Sequence, residues 1–383
     1  MKKLILINGV AVLTILFSSL VFMVYGVGSL DPESDPAPTF KTLNEIEART
    51  IIDSIPFTIT NSGSYYLTGN LRHSTPGADG IVIDAHEVTL DLNGFTLYGG
   101  RITGTNSRDG IRVSGLRTNL HIHNGNVIGW GEDGINAIDA HLSIFEELRV
   151  SKNNEDGLVT DNNCIIVRCV AHKNGFDGLE GNDNSIFKHC TANGNGDNGI
   201  QSSMSTMVLD CSSQSNGNDG IEVNEASVIS RCVAQNNGLF GFDLATGSLI
   251  TDSAARNNTS NGFDLVGNTR MENCVSSQNQ GNGVRTFSNT VILDSQFFDN
   301  SNSGILISSS DCRVEGNSVT DNDKTGIHVT SAGNLIIRNR AAGNLTNYNI
   351  RADSAFGPII DASAGGDLST IGNADHPMAI YAF

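Results

Sequence analysis

A chain of 383 residues with a net charge of −18 offers no basic surface for neutralising phosphates, so nucleic acid is excluded as a partner. Its 42 glycines and only 6% aromatic residues would suit a disordered polymer if they were scattered, but they recur at a fixed period, which argues for order. Length alone allows two or three domains, whereas a repeat can run one core through the whole chain.

In chain order, Lys2 and Lys3 precede an uncharged, mostly apolar run from Leu4 to Leu30, with small residues Gly26 and Gly28 near its end. Residues 1–28 are therefore expected to be a signal peptide or an uncleaved membrane anchor. Either way the remainder is exported: secreted, periplasmic or at the cell surface, with a membrane tether if the segment stays. Residues 29–41 read as an extended linker, because Pro32, Pro36 and Pro38 fall close together. Leu43 to Arg49 is expected to form a short capping helix, within an N-terminal cap and first coil over residues 42–76.

The repeat follows. Glycines that follow Asp, Asn or a similar residue and precede an apolar one run from Gly80 and Gly110 to Gly304 and Gly326. From Gly157 to Gly304 they are 21 residues apart seven times in succession; earlier coils carry insertions. That period is too short for helix-pair repeats, and the leucine-rich pattern is missing. Asp219-Gly220-Ile221-Glu222-Val223 shows the unit: Ile221 and Val223 alternate with Glu222, which is strand periodicity. Two more short apolar segments follow, Ser227-Val228-Ile229 and Cys232-Val233-Ala234. Stacking such units at about 4.8 Å turns the inward residues into continuous columns. No proline falls between Pro76 and Pro358, as a parallel ladder that uses every N–H requires. The expectation is an all-β, single-domain parallel β-helix of about 12–13 coils of 21–23 residues, spanning 77–355, with a C-terminal cap over 356–383.

Three polar columns have structural readings. Asn153, Asn174, Asn195 and their successors to Asn344 share one phase, as an asparagine ladder in a sharp turn does. Cys169, Cys190, Cys211, Cys232 and Cys274 form another column; Ser253 and Ser295 substitute within it and no Cys-x-x-Cys occurs, so these are packed free thiols. His121 and His123 share a strand face with no ligand evident in register, and read as an exposed pair.

A fourth column points to function. Two residues after each repeat glycine, facing outward, stand Val82, Arg112, Asn136, Val159, Glu180, Gln201, Glu222, Asp243, Asp264, Arg285, Leu306 and His328. Glu222, Asp243 and Asp264 occupy consecutive coils, where like charges repel unless something compensates. Carboxyls on adjacent coils would lie about 5 Å apart, near the spacing of a retaining glycosidase pair; two coils apart, about 9.6 Å, they reach the top of the inverting range. The same three carboxylates are candidate ligands for Ca²⁺. Glu222, Asp243, Asp264 and Arg285 are thus the candidate catalytic set. Glu180, Val266, Phe287 and His328 are candidate substrate contacts, with Val266 and Phe287 as an apolar wall against a sugar ring. The competing reading is a solvated acidic face on an acidic protein.

Gly63-Ser64-Tyr65-Tyr66-Leu67-Thr68-Gly69-Asn70-Leu71, Val88-Thr89-Leu90-Asp91-Leu92-Asn93-Gly94 and the repeated Asp/Asn-Gly-Ile units resemble right-handed parallel β-helix proteins of the pectate-lyase-like superfamily, over roughly residues 42–383. The resemblance implies the handedness, and a place among polysaccharide lyases, glycoside hydrolases, alginate epimerases and copper-pathway periplasmic proteins. The chain departs from their active patterns. Asp-Pro-His-Glu is missing, with Asp31-Pro32-Glu33 lying in the linker; so are the paired Asp-Asp with Gly-His-Gly, and Arg-x-Pro-x-x-Arg. Superfamily lyases set calcium-binding carboxylates beside a basic residue, an arrangement that Glu222, Asp243, Asp264 and Arg285 imitate. Two expectations stand: a protein that recognises, and in one version cleaves as a lyase or hydrolase, an extracellular polysaccharide or surface glycan; or a non-catalytic structural or adhesive surface protein.

Overall fold

The computed structural model describes residues 48–100, 108–363, 365 and 371–383. From Thr50 onward the chain winds as a parallel β-solenoid. Coil by coil, three short strands recur, as in Ile221–Val223, Val228–Ser230 and Val233–Gln235. The first strand of each coil stacks into a 14-stranded sheet; the other two stack into a 28-stranded sheet. Pairing is in register throughout the regular coils: Ile221 lies over Phe242, and Phe242 over Phe263. Identical phases therefore build uniform columns. The rings of Phe242 and Phe263 stack at 5.0 Å, 4° from parallel, with no solvent exposure.

One expectation needs correction. The 14-stranded ladder exceeds the expected 12–13 coils, because its end strands, Phe57–Ile59 and Thr346–Ile350, lack the marker glycine. Tyr348 pairs with Ile327, so Asn347 stands where Gly326 stood one coil earlier. The described residues contain no helix. The capping helix placed over Leu43–Arg49 falls mainly outside them, and Ala48 and Arg49 are non-helical. The apolar run from Leu4 to Leu30 also lies outside the described residues; within them, no helix is long and apolar enough to cross a membrane.

The turns explain the polar columns. Each ladder asparagine from Asn153 to Asn322 is buried; its amide donates to the next coil, as Asn237 Nδ2 does to Asn258 Oδ1 at 3.0 Å. The same Asn258 oxygen accepts the Asn237 backbone N–H at 3.0 Å. The left-handed residue of this turn is the one before the asparagine, Asn236 at φ 57° or Lys173 at φ 57°, so the asparagine serves by hydrogen bonding rather than by its backbone angle. All seven cysteines are free and buried, as small packing side chains.

Candidate functional site

The outward column of the 14-stranded sheet assembles as the repeat phase requires. Glu222 lies over Asp243, Asp243 over Asp264, Asp264 over Arg285, then Leu306 and His328. Glu180 joins one end through Gln201. Each strand is only three residues long, so a single side chain per coil points outward, between two that enter the core.

The stacked charges are resolved in an ordered way. Arg285 forks across Asp264, Nε to Oδ1 at 2.6 Å and Nη2 to Oδ2 at 2.8 Å, and Asn261 donates to the same Oδ1 at 2.9 Å. Asp264 is only 4% exposed, so the pair is charge-assisted and largely desolvated on its acidic side. Glu222 accepts from the Asn198 amide at 2.8 Å; burial nonetheless raises its pKa. Asp243, between them, has no side-chain hydrogen bond among the described residues. Burial, then the charges of Asp264 and Glu222, push its carboxyl up to about 6, against the pull of Arg285. Burial also raises Glu180, helped by Asp156.

The aromatic surroundings were only half anticipated. The Phe287 ring lies 5.3 Å from the Arg285 guanidinium and the Phe240 ring 5.9 Å from it, so two rings lie near the cation beside the acids. Val266 is 38% exposed beside them. Phe240 went unnoticed in the sequence, although a signal was there. The residue before the repeat glycine is Asp or Asn at Asp79, Asp109, Asp133, Asp156, Asp177, Asn198, Asp219, Asn261 and Asn282, and is aromatic at Phe240.

Those Asp and Asn residues form a second ladder. Asp156 Oδ1 accepts the Asp177 N–H, Asp177 Oδ1 the Asn198 N–H and Asp219 Oδ1 the Phe240 N–H, each at 2.7 Å. Phe240 offers no acceptor to the coil beyond, so the ladder breaks beside Asp243. Burial drives several of these carboxyls upward, Asp133 and Asp177 to about 8 and Asp219 to about 7.

Regarding a metal, both Asp264 oxygens are already held by Arg285, which leaves a cation at Glu222, Asp243 and Asp264 in competition with a guanidinium. Among the described residues, the oxygens that converge to within 4.8 Å belong to Asp156, Asp177 and Glu180. The histidine pair, by contrast, has closer acidic neighbours than its sequence suggested. His121 and His123 stack at 4.4 Å, with Glu146 3.1 Å from His121 and Asp91 3.9 Å from His123.

The sequence model of the right handed beta helix region matches residues 57–209 and 201–342, and the chain belongs to that family. No curated protein sequence matches it. Among solved structures, it resembles a double mutant of the periplasmic alginate epimerase AlgG, at 13% identity and TM-score 0.50, over 74% of this chain and 76% of that one. It also resembles the A-module of the Azotobacter vinelandii mannuronan C-5 epimerase AlgE4, at 17% identity and TM-score 0.49, over 77% and 91% respectively. At such identities the likeness is one of fold.

Proposed function

We propose that this is an exported glycan-recognising β-helix protein whose 14-stranded sheet, between Glu180 and His328, receives a polysaccharide along the solenoid axis. The observation that carries the reading is the coincidence at one place of two departures from the repeat. The Asx ladder gives way to Phe240, and the outward column becomes Glu222–Asp243–Asp264–Arg285. Rings beside fixed polar groups are what sugar binding needs, since a pyranose presents an apolar C–H face and a rim of hydroxyls. A plain solvated face would have no cause to drop a ladder acceptor for an aromatic. The epimerase that shares the fold is a periplasmic protein acting on alginate, a precedent that supports both export and a polysaccharide ligand.

Cleavage is the further step within this reading. Glu222 and Asp243 lie on adjacent coils, and the raised Asp243 carboxyl has the protonation behaviour of a general acid. Incubating the protein with neutral and uronate polysaccharides, with and without Ca²⁺, tests it. New reducing ends without unsaturated-product absorbance would establish hydrolysis, and unsaturated-product absorbance a lyase. Neither product, with binding retained, would leave recognition without cleavage; no binding to any glycan would remove the proposal.

A further inference from the structure

The charge on this face narrows the glycan, an inference that rests on the glycan reading above. In each coil from Phe176 to Ser308, the face runs from two residues before the repeat glycine to four after it. Within those segments Arg285 is the one basic residue, against Asp177, Glu180, Asp219, Glu222, Asp243 and Asp264 among the acids. Arg285 is engaged: its Nε and Nη2 are both on Asp264, and its guanidinium carbon lies 5.9 Å from the Phe240 ring centroid and 5.3 Å from that of Phe287. A uronate carboxylate arriving here finds no uncommitted cation and several like charges.

Two of the acids, in contrast, keep acceptor oxygens without a partner among the described residues. Asp243 makes no side-chain hydrogen bond among the described residues. Asp219, 3% exposed, uses Oδ1 for the Phe240 N–H, while its Oδ2 has no partner among the described residues. Asp219 also feels Asp243, Glu222 and Asp264 electrostatically, which places it within the same field. A ligand cation would relieve this repulsion, and a protonated sugar amine supplies one on the same ring that packs against Phe240 or Phe287. We infer that the face between Glu180 and Arg285 selects glycans carrying free amines, that is amino-sugar polymers, over uronates and over N-acetylated chains.

The test uses the full chain and three oligosaccharide series: glucosamine oligomers, the same oligomers fully N-acetylated, and oligouronates. Calorimetric titration is run near neutral pH at low and moderate ionic strength, with a chelator present. The expected result is that glucosamine oligomers bind at least about tenfold more tightly than either other series. That preference should weaken with salt, and Glu222→Gln with Asp243→Asn should abolish it, bringing the affinity for glucosamine oligomers to within about twofold of the N-acetylated series. Circular dichroism of the variant confirms folding; Arg285→Gln, which frees the Asp264 carboxylate, should move selectivity the other way, towards a stronger preference for amines. Equal affinity for both glucosamine series, or preferential uronate binding, would overturn the charge selection and leave glycan recognition standing. Silence with all three series and with a broader glycan panel would overturn the glycan reading itself.

Discussion

Arg285 spans both carboxylate oxygens of Asp264 from the neighbouring coil, so the one guanidinium on the acidic face answers the most deeply buried acid of the outward column. Replacing Arg285 by Gln leaves a carboxylate that is 4% exposed with only the Asn261 amide to hold it. Because the arginine is itself part-exposed, the expected loss is about 2–3 kcal/mol, below that of a fully buried pair. Urea denaturation of the variant measures it; an unchanged midpoint would show that the pair is electrostatically idle.

The Asx ladder predicts an unusual pH dependence. Folding raises Asp133 and Asp177 to about 8, Asp109 and Asp219 to about 7 and Asp243 to about 6, chiefly by burial, from an ordinary value of 3.8. Below about pH 4 both folded and unfolded chains hold these protons, and there is no penalty. As pH rises from there to about 8, the unfolded chain binds fewer protons than the folded one, so stability falls, and it levels off once the folded carboxyls ionise. The urea midpoint should therefore be higher near pH 5 than near pH 8, the reverse of ordinary acid denaturation. Asp177→Asn should raise stability near pH 8 by at least about 1 kcal/mol, since Asn198 shows that the amide fits the same ladder.

How far the sequence reveals this molecule depends on which residues repeat. The glycine phase defines the register, since Gly220 and Gly241 must each admit a neighbouring carbonyl, and everything in that phase was legible: the inward Ile221 and Phe242, the asparagine and cysteine columns, and the outward stripe from Glu180 to His328. The terminal coils were not, because Asn347 replaces the marker glycine. Phe240 was not legible for the opposite reason: the position before each glycine varies among Asp, Asn, Ser and Thr, and a repeat phase does not encode which group a lone aromatic there approaches. The Asp264–Arg285 fork and the convergence of Asp156, Asp177 and Glu180 depend on side-chain rotamers, which a periodic pattern does not encode.

The asparagine ladder should be costly to interrupt. Asn258 is fully buried; its amide donates to Asn279 Oδ1 at 2.9 Å and the Ala234 carbonyl at 3.2 Å, and its oxygen accepts twice from Asn237. Asn258→Ala strands donors and acceptors on both neighbouring coils, and roughly 3 kcal/mol should be lost. Chemical denaturation checks this, and Asn258→Asp should recover little, because a carboxylate cannot donate.

Close approach of coils makes Gly241 equally constrained. A methyl group there would sit 2.6 Å from the Gly262 carbonyl oxygen and 2.9 Å from the Ala255 Cβ, neither of which can swing away. Gly241→Ala should therefore destabilise the solenoid by about 2 kcal/mol or more. A thermal midpoint equal to that of the parent chain would mean that the coils can separate there.

The most direct test of glycan recognition by this face is a glycan microarray probed with the intact protein and with a Phe240→Ala, Phe287→Ala variant. Binding that is present in the parent and lost in the folded double variant is the predicted result. Binding that survives loss of both rings, or a parent that binds no glycan, would contradict it.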